Sequence, residues 1–347
     1  MNNVLIYGAY GYTGTLITDE CLKTGIKPKI AGRNVEKIRS LGESRELSWD
    51  AFDISEKEKL EDWLQTGDVV IHCAGPFIHT ATQMVEACLE TNTHYLDITG
   101  EYEVFDLVRG YAEKACEKGI MLLPGAGFDV VPSDCLAASL HKKMPDAKSL
   151  ELAFVSKGGR LSRGTAKTMI ESFGEPQVRR EDGQYAFAPM GKRTKVINYG
   201  EFEQLSMAIS WGDISTAHFS TGIPSIEVYS GTTDSQLSQV KKMNMLSFLL
   251  KAQIVKNFLK NQIDKKPAGP SEEKRETAKM YLWGKVSNGS DQSEARLVTP
   301  NGYSLTATTS VLIMRKILEG NFKAGYQTPS SVYGADLILE VEGCSFS

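Results

Sequence analysis

The sequence lacks three features that would point away from a globular enzyme. It has no uninterrupted run of about 18 apolar residues, the minimum for a membrane-spanning helix. It has no surplus of positive charge, since the formal net charge is −4, whereas nucleic-acid-binding domains are usually basic. Its start has no charged segment followed by an apolar core, so we expect no secretory signal. We therefore expect a cytoplasmic protein with no transmembrane span and no nucleic-acid partner.

Cysteine is scarce and scattered along the chain. None of the six cysteines forms a CxxC pair or stands at zinc-ligand spacing with a histidine. We expect reduced, mostly buried thiols and no metal site. The Tyr-x-x-x-Lys pair of short-chain reductases is also missing from the stretch where it would be expected. No motif therefore identifies a proton donor.

The 347 residues predict about two domains. Over residues 1–145, short apolar runs alternate with helical patterns, which indicates βαβ units and a Rossmann-type, doubly wound parallel sheet. Beyond Pro145 the segments alternate differently, and Asn288-Gly289-Ser290 marks a turn between two of them. We predict an α/β protein whose second domain, residues 146–303, is α+β on a mostly antiparallel sheet and serves substrate binding or dimerisation.

The clearest motif is a glycine-rich turn after the first apolar run, Val4 to Tyr7. Three glycines at GxxGxxG spacing predict a tight turn, a close backbone approach to a pyrophosphate, and close packing of the next helix on the sheet. Amides at the start of that helix would face the phosphates. The predicted cofactor contacts here are Gly8, Tyr10, Gly11, Tyr12, Thr13 and Gly14.

The second apolar run ends at Arg33, where NAD-binding sites usually carry an acidic residue. A guanidinium favours the 2′-phosphate of NADP, so Arg33 and Asn34 are predicted to bind that cofactor, and Lys37 could add charge. The alternative is that Arg33 is a solvated surface side chain. Asp53 follows the third run and is predicted either to contact adenine or to cap the helix that begins near Ser55.

Ligands of open α/β sheets bind beyond the carboxyl ends of the strands. After the fourth run, Ala74, Gly75, Pro76 and Phe77 are predicted to border the cofactor, as are Thr99 and Gly100 after the fifth. Asp97, Glu101 and Asp129 are the acidic groups expected near the nicotinamide.

Glu101 and Asp129 are the candidates for acid–base catalysis. Glu101 could instead cap the helix that follows it, and Asp129 could bind backbone amides in its glycine-rich loop. His72, inside an apolar run, is predicted to be packed in the core.

Together these motifs resemble the saccharopine dehydrogenase-like oxidoreductases, including the trans-acting enoyl reductases. The resemblance rests on segments spread along the chain: GAYGYTG (8–14), AGRN (31–34), CAGPF (73–77), YLDITGE (95–101), GAGFDVVPSD (125–134), RGTAKTMIES (163–172), GPSEEKRE (269–276) and GYQTPSSVYG (325–334). GPSEEKRE and TPSSVYG are more similar to the enoyl reductase branch. The resemblance implies an NADP-binding domain, an inserted substrate domain, and a segment at 304–347 that returns to the first domain.

The expected function is therefore that of an NADP-dependent oxidoreductase, with hydride transfer to a C=N or C=C group of a small-molecule or lipid-linked substrate. The alternative is a non-catalytic, NADP-sensing regulatory protein. Residues 238–263 form a basic amphipathic pattern that predicts a long helix over about 235–261. That helix would serve as ordinary packing, as the interface of a homodimer, or as a peripheral membrane contact.

Overall fold

The computed structural model describes residues 3–245 and 251–347. Within these residues the chain divides into two compact units. The first takes in the chain up to Val131 and the segment Tyr303–Val332. The second takes in Pro132–Gly302 and Tyr333–Ser347. The roles assigned to the predicted domains stay predictions.

The first unit is built on a parallel sheet with an apolar interior. Its first six strands are β1 (Val4–Tyr7), β2 (Lys29–Gly32), β3 (Trp49–Ala51), β4 (Val69–His72), β5 (His94–Asp97) and β6 (Met121–Leu123). They lie in the order β3-β2-β1-β4-β5-β6, all parallel. Neighbouring residues such as Leu5 and Ile6 are both fully buried, as expected where helices cover both faces of a sheet.

Helices follow the strands and return the chain to the other end of the sheet. They are α1 (Tyr12–Lys23), α2 (Val35–Arg45), α3 (Lys57–Leu64), α4 (Ala81–Thr91), α5 (Tyr102–Arg109) and α6 (Ala112–Lys118), with a short 3₁₀ helix at Phe77–His79. The strand order reverses between β1 and β4, which is where ligands bind in such sheets. The predicted Rossmann-type fold is confirmed.

The second unit carries a mixed sheet. Its elements are α7 (Val131–Lys143), β7 (Ser149–Lys157), α8 (Arg163–Glu171), β8 (Gln177–Glu181), β9 (Gln184–Ala188), β10 (Thr194–Asn198), β11 (Glu203–Ile209), α9 (Asp213–Thr221), β12 (Ser225–Gly231), α10 (Asp234–Met245), α11 (Gln253–Asp264), α12 (Glu272–Thr277), β13 (Lys279–Ser287) and β14 (Gln292–Pro300). The strand order is β10-β11-β12-β7-β13-β14. Among these neighbours β12 and β7 are parallel and the other pairs are antiparallel, so the predicted mostly antiparallel sheet is confirmed.

The last part of the chain adds a strand to each sheet. It contains α13 (Gly302–Leu318), β15 (Gly325–Tyr326), α14 (Pro329–Tyr333), a 3₁₀ helix at Ala335–Glu340 and β16 (Ser345–Phe346). Strand β15 pairs in parallel with β6, and β16 pairs with β14. Gly320, with a φ of 79°, lies just beyond the end of α13, where a left-handed residue commonly ends a helix.

The prediction of one continuous helix over about 235–261 is wrong. The described residues of this stretch contain α10 and α11, and Ala252 before α11 has an extended backbone (φ −66°, ψ 126°). Residues 246–250, which belong to the predicted helix, lie outside the described residues. The polar composition of residues 264–276 also predicts a mobile loop, and this prediction is wrong in its last part, because α12 begins at Glu272.

Two lysines of α11 contact α8, and the sequence did not predict this contact. Lys256 is buried and donates to the carbonyl of Glu171 at 2.5 Å, and Lys260 pairs with the Glu171 carboxylate. These contacts fix α11 to α8 by ordinary packing. Ile254 and Phe258 on the same helix are 84% and 61% exposed. Dimerisation and membrane contact stay predictions, and no helix in the described part of the chain is long and apolar enough to cross a bilayer.

Candidate functional site

The glycine turn after β1 is a close-packed backbone structure. Gly8 has a φ of 82°, and a Cβ atom at this position would lie 2.9 Å from the Cβ of Ala74. A Cβ on Gly14 would lie 2.5 Å from the carbonyl oxygen of Gly8, so only glycine lets α1 approach this closely. Gly11 donates from its amide to the same carbonyl at 3.0 Å and closes the turn. The three predicted glycines thus share one constricted loop that also contacts the end of β4.

The start of α1 is suited to an anion. Gly11 is the N-cap and offers no side chain to the helix amides, and the first turn carries no acidic residue. Amides at a helix N-terminus together with the helix dipole favour negative charge. Tyr12, Thr13 and Gly14 form the first turn itself. The helix start fits a pyrophosphate, because no side chain caps its amides and no acidic residue in its first turn repels an anion.

A tyrosine and a lysine lie beside the end of β2. The ring of Tyr10 covers Gly32, since a Cβ on Gly32 would lie 2.5 Å from the Tyr10 Cε1 atom. The Lys37 Nζ atom lies 5.9 Å from the centroid of the same ring. Arg33 is exposed, and in the described part of the chain neither Arg33 nor Lys37 forms an ion pair. Asn34 caps α2 by accepting a hydrogen bond of 2.9 Å from the Lys37 amide.

Asp53 has a local structural role that the sequence left open. Its Oδ1 atom accepts from the amide of Ser55 at 3.0 Å and from the Ser55 hydroxyl at 2.7 Å. These two hydrogen bonds, and to a smaller extent the charge of Arg33, lower the pKa of Asp53. Asp53 therefore organises the loop before α3 as an ionised group. Its contact with adenine stays a prediction.

The loop after β4 is held by an acid from the loop after β5. The Glu101 carboxylate accepts from the amides of Phe77 at 2.9 Å and Ile78 at 3.0 Å. Burial raises the pKa of Glu101, and the two hydrogen bonds oppose that rise. The predicted alternative that Glu101 caps the helix after it is wrong, because its side chain makes no capping bond to α5. It instead holds the 3₁₀ helix that follows Pro76.

Within the same two loops, Ala74 and Thr99 are also fixed by hydrogen bonds. The Ala74 carbonyl accepts from the Thr80 hydroxyl at 2.9 Å. The Thr99 hydroxyl accepts from the Glu101 amide at 3.1 Å. Gly75 is exposed beside them. The loop after β4, which was predicted to border the cofactor, is therefore held both by Thr80 and by Glu101.

Asp97 connects the ends of β5 and β6. It is fully buried and accepts from the Tyr95 hydroxyl at 2.6 Å, the Thr99 amide at 3.0 Å and the Gly125 amide at 2.8 Å. Burial raises its pKa to about 6. With its oxygens engaged by these three donors, Asp97 shapes the two loops, a role that the sequence did not assign to it.

Asp129 lies against the loop after β5. A Cβ on Gly100 would lie 3.0 Å from the Asp129 Oδ2 atom. Burial, and secondarily the charge of Glu101, raise the pKa of Asp129 to about 7. The loops after β4, β5 and β6 thus meet as predicted, with Glu101, Gly100 and Asp129 together. Arg33 and Asn34 follow β2 and Asp53 follows β3, on the other side of β1 from these three loops.

The predicted core role of His72 is confirmed. The side chain is fully buried, and its Nε2 atom lies 2.9 Å from the Thr80 hydroxyl. Burial lowers its pKa to about 3, so the ring is neutral at physiological pH. Among the described residues, no group of three or more His, Cys, Asp or Glu side chains is arranged to hold a metal ion.

Two residues that bind the loop after β6 were missed. Thr306 accepts from the amide of Phe128 at 3.0 Å, and Thr309 donates to the carbonyl of Ala126 at 2.8 Å. Both lie on α13, more than 170 residues further along the chain. Nothing in a run of threonines within a helix indicates such a contact, so the sequence offered no signal for it.

Comparison with known proteins agrees with this geometry. Residues 4–123 match the family model described as the saccharopine dehydrogenase NADP binding domain. The predicted resemblance to the saccharopine dehydrogenase-like oxidoreductases is confirmed.

The curated relatives include both branches of the predicted resemblance. The saccharopine dehydrogenase-like oxidoreductase of Homo sapiens is 27% identical over 198 residues, which cover 50% of this chain and 46% of that protein. The trans-acting enoyl reductase of Mycobacterium bovis is 29% identical over 162 residues, which cover 43% of this chain and 38% of that protein. The chain spans about half or less of the length of these relatives, and their identities do not favour one branch.

A solved structure extends the fold match beyond the NADP-binding domain. Apo saccharopine dehydrogenase (L-Glu forming) from Saccharomyces cerevisiae superimposes with a TM-score of 0.71 at 14% identity, covering 100% of this chain and 99% of that one. At this identity the similarity shows a common fold.

Proposed function

We propose that this protein binds NADP(H) and is an oxidoreductase that transfers hydride to a C=N or C=C group of a small-molecule or lipid-linked substrate. The observation that carries the proposal is the glycine turn at Gly8–Gly14, whose close packing and uncapped helix start suit a pyrophosphate. The match of residues 4–123 to an NADP-binding domain supports it.

Preference for NADP over NAD rests on the unpaired cations at the end of β2. Two other cations of β2 and α2 are neutralised: Lys29 pairs with Asp50 at 2.9 Å, and Arg45 pairs with Asp19 at 2.9 Å. Arg33 and Lys37 are left for a dianionic 2′-phosphate. A charge-assisted hydrogen bond contributes about 1.5–3 kcal/mol, which corresponds to a roughly 10- to 150-fold preference for NADP.

The acidic side chains near the expected nicotinamide position divide into two roles. Bound NADPH would supply the hydride, and the protein supplies orientation and proton transfer. Glu101 holds the loop after β4 through both carboxylate oxygens and is a positioning residue. Asp129, with a pKa near 7, has both protonation states populated at neutral pH and is the proposed proton donor to the reduced group.

A non-catalytic, NADP-sensing role is the second candidate. The engagement of Glu101 by two backbone amides favours it, because one of the two predicted acid–base residues is thereby removed from catalysis. The raised pKa of Asp129 favours the enzyme, since a group poised near neutral pH is expected of a catalytic acid.

Two measurements test the proposal. Titration calorimetry with NADPH and NADH is expected to show binding of both and at least tenfold tighter binding of NADPH. Consumption of NADPH, followed by its absorbance across a panel of imines and activated alkenes, is expected for at least one substrate class. Failure to bind either nucleotide at millimolar concentration would refute the proposal, and binding without turnover of any substrate would support the sensing role. The homodimer and the cytoplasmic location stay predictions.

A further inference from the structure

A tyrosine of α13 contacts the start of α1. The rings of Tyr12 and Tyr303 meet edge to face, with centroids 5.1 Å apart and planes at 89°. Tyr12 is the first residue of α1, so its backbone belongs to the turn proposed to hold the pyrophosphate. Tyr303 lies in the first turn of α13, which is distant in sequence but part of the same compact unit.

The same helix also holds the opposite end of the site. One turn after Tyr303, Thr306 accepts from the Phe128 amide, and its side chain fills the space beside Gly127, where a Cβ would lie 2.7 Å from the Thr306 Cγ2 atom. The residue after Phe128 is Asp129. A single helix therefore contacts both the phosphate turn and the loop that carries the proposed proton donor.

We infer that α13 completes the dinucleotide site, and that Tyr303 is a positioning residue that fixes Tyr12 against the pyrophosphate. This inference rests on the proposed function. The family model ends at residue 123, so it does not cover this helix. The nucleotide-binding domain of this chain is then discontinuous in sequence, and its affinity depends on a residue 180 positions beyond the segment that defines it.

The position of the Tyr12–Tyr303 contact predicts how loss of Tyr303 changes the affinity for NADPH and for NADH. The interaction free energy of an edge-to-face aromatic pair corresponds to roughly a two- to tenfold change in a binding constant. Because the pyrophosphate is common to NADPH and NADH, loss of Tyr303 should weaken both by the same factor. Loss of Arg33 should instead change the ratio of the NADPH affinity to the NADH affinity. This difference distinguishes the role of Tyr303 at the pyrophosphate from that of Arg33 at the 2′-phosphate.

The test compares Tyr303→Ala with Tyr303→Phe in the full-length protein, by calorimetry with NADPH and with NADH. Tyr303→Ala is expected to weaken both nucleotides about two- to tenfold, and Tyr303→Phe to restore most of the affinity because it keeps the ring. Tyr111→Ala is the matched control: Tyr111 packs against the core of the same unit, away from the turn, and its loss should lower the melting temperature without changing affinity.

A double-mutant cycle decides whether Tyr303 acts through Tyr12. If it does, the variant that carries both Tyr12→Ala and Tyr303→Ala binds no more weakly than Tyr12→Ala alone. Additive losses would overturn the inference, as would unchanged affinity in Tyr303→Ala while the wild-type protein binds NADPH. Absence of binding to the wild-type protein would refute the proposed function, and this inference with it.

Discussion

Glu101 accepts a hydrogen bond of 2.9 Å from the backbone amide of Phe77, so an acid after β5 holds the loop after β4. The second oxygen of the same carboxylate accepts from the next amide, that of Ile78, at 3.0 Å. Two donors that face one carboxylate require both oxygens to be acceptors. A side chain in this arrangement is suited to fixing a loop and poorly suited to giving up or taking a proton.

Glu101→Gln is therefore expected to destabilise the protein. The glutamine amide would present one donor to a backbone donor, leaving a buried group unsatisfied at a cost of about 1–3 kcal/mol. Urea unfolding at pH 7 measures the change. Glu90→Gln, at an exposed position on α4, is the control and should change the free energy of unfolding by less than about 0.5 kcal/mol. Equal stabilities of the two variants would contradict the role given to Glu101.

Asp129 should make stability depend on pH. Its pKa in the folded protein, about 7, lies above the ordinary value of 3.8, so the folded state holds the proton more tightly than the unfolded state. The resulting stabilisation is complete below about pH 4 and is lost as pH rises through about 7. The free energy of unfolding of the wild type, relative to Asp129→Asn, should therefore fall between pH 4 and pH 8.

Urea unfolding of both proteins at several pH values measures this difference. Asp97, whose pKa of about 6 is raised in the same direction, is present in both proteins and cancels in the comparison. A difference that stays constant from pH 4 to pH 8 would contradict the assignment. Asp129→Asn should also keep its affinity for NADPH while losing turnover, which separates the proton donor from a cofactor ligand.

Arg33→Ala should weaken NADPH binding at least tenfold and leave NADH binding nearly unchanged, because only NADPH carries the 2′-phosphate. Lys37→Ala should have a smaller effect in the same direction, up to about fivefold, since exposed charge pairs contribute about 0.2–1 kcal/mol. Calorimetry with the two nucleotides measures both. Lys29→Ala removes a charge that is already paired with Asp50 on the neighbouring strand and should leave the preference intact. An equal loss for both nucleotides in Arg33→Ala would contradict the phosphate assignment.

The sequence was informative where a local pattern determines the structure. Apolar runs predicted the parallel sheet, because strands that are covered on both faces have few polar positions. The spacing of Gly8, Gly11 and Gly14 predicted the turn, because the backbone there excludes a Cβ. The general rule for strand ends predicted that Glu101 and Asp129 would lie in neighbouring loops.

What the sequence did not reveal depends on contacts between distant segments. Glu101 was predicted to act in acid–base catalysis or, alternatively, to cap the helix after it, but its partner Phe77 lies 24 residues earlier. Thr306 and Tyr303 reach the site only because the chain returns to the first unit after residue 302. The predicted helix over 235–261 failed at Ala252, since periodicity records which residues are apolar but does not show where a helix ends.

Gly8→Ala should disrupt the site far more than expected from the cost of placing alanine at a positive φ alone. Gly8 and Gly25 share a φ near 80°, so an alanine at either position carries a similar backbone penalty of about 1–2 kcal/mol. A Cβ on Gly25 would have no atom within 4 Å, whereas one on Gly8 would lie 2.9 Å from both Ala74 and Cys73. The neighbouring strand end would have to move, and with it the loop that Glu101 holds. We expect Gly25→Ala to lower the free energy of unfolding while keeping NADPH affinity, and Gly8→Ala to lower both. Calorimetry of the two variants beside urea unfolding makes the comparison, and retained affinity in Gly8→Ala would place the nucleotide elsewhere.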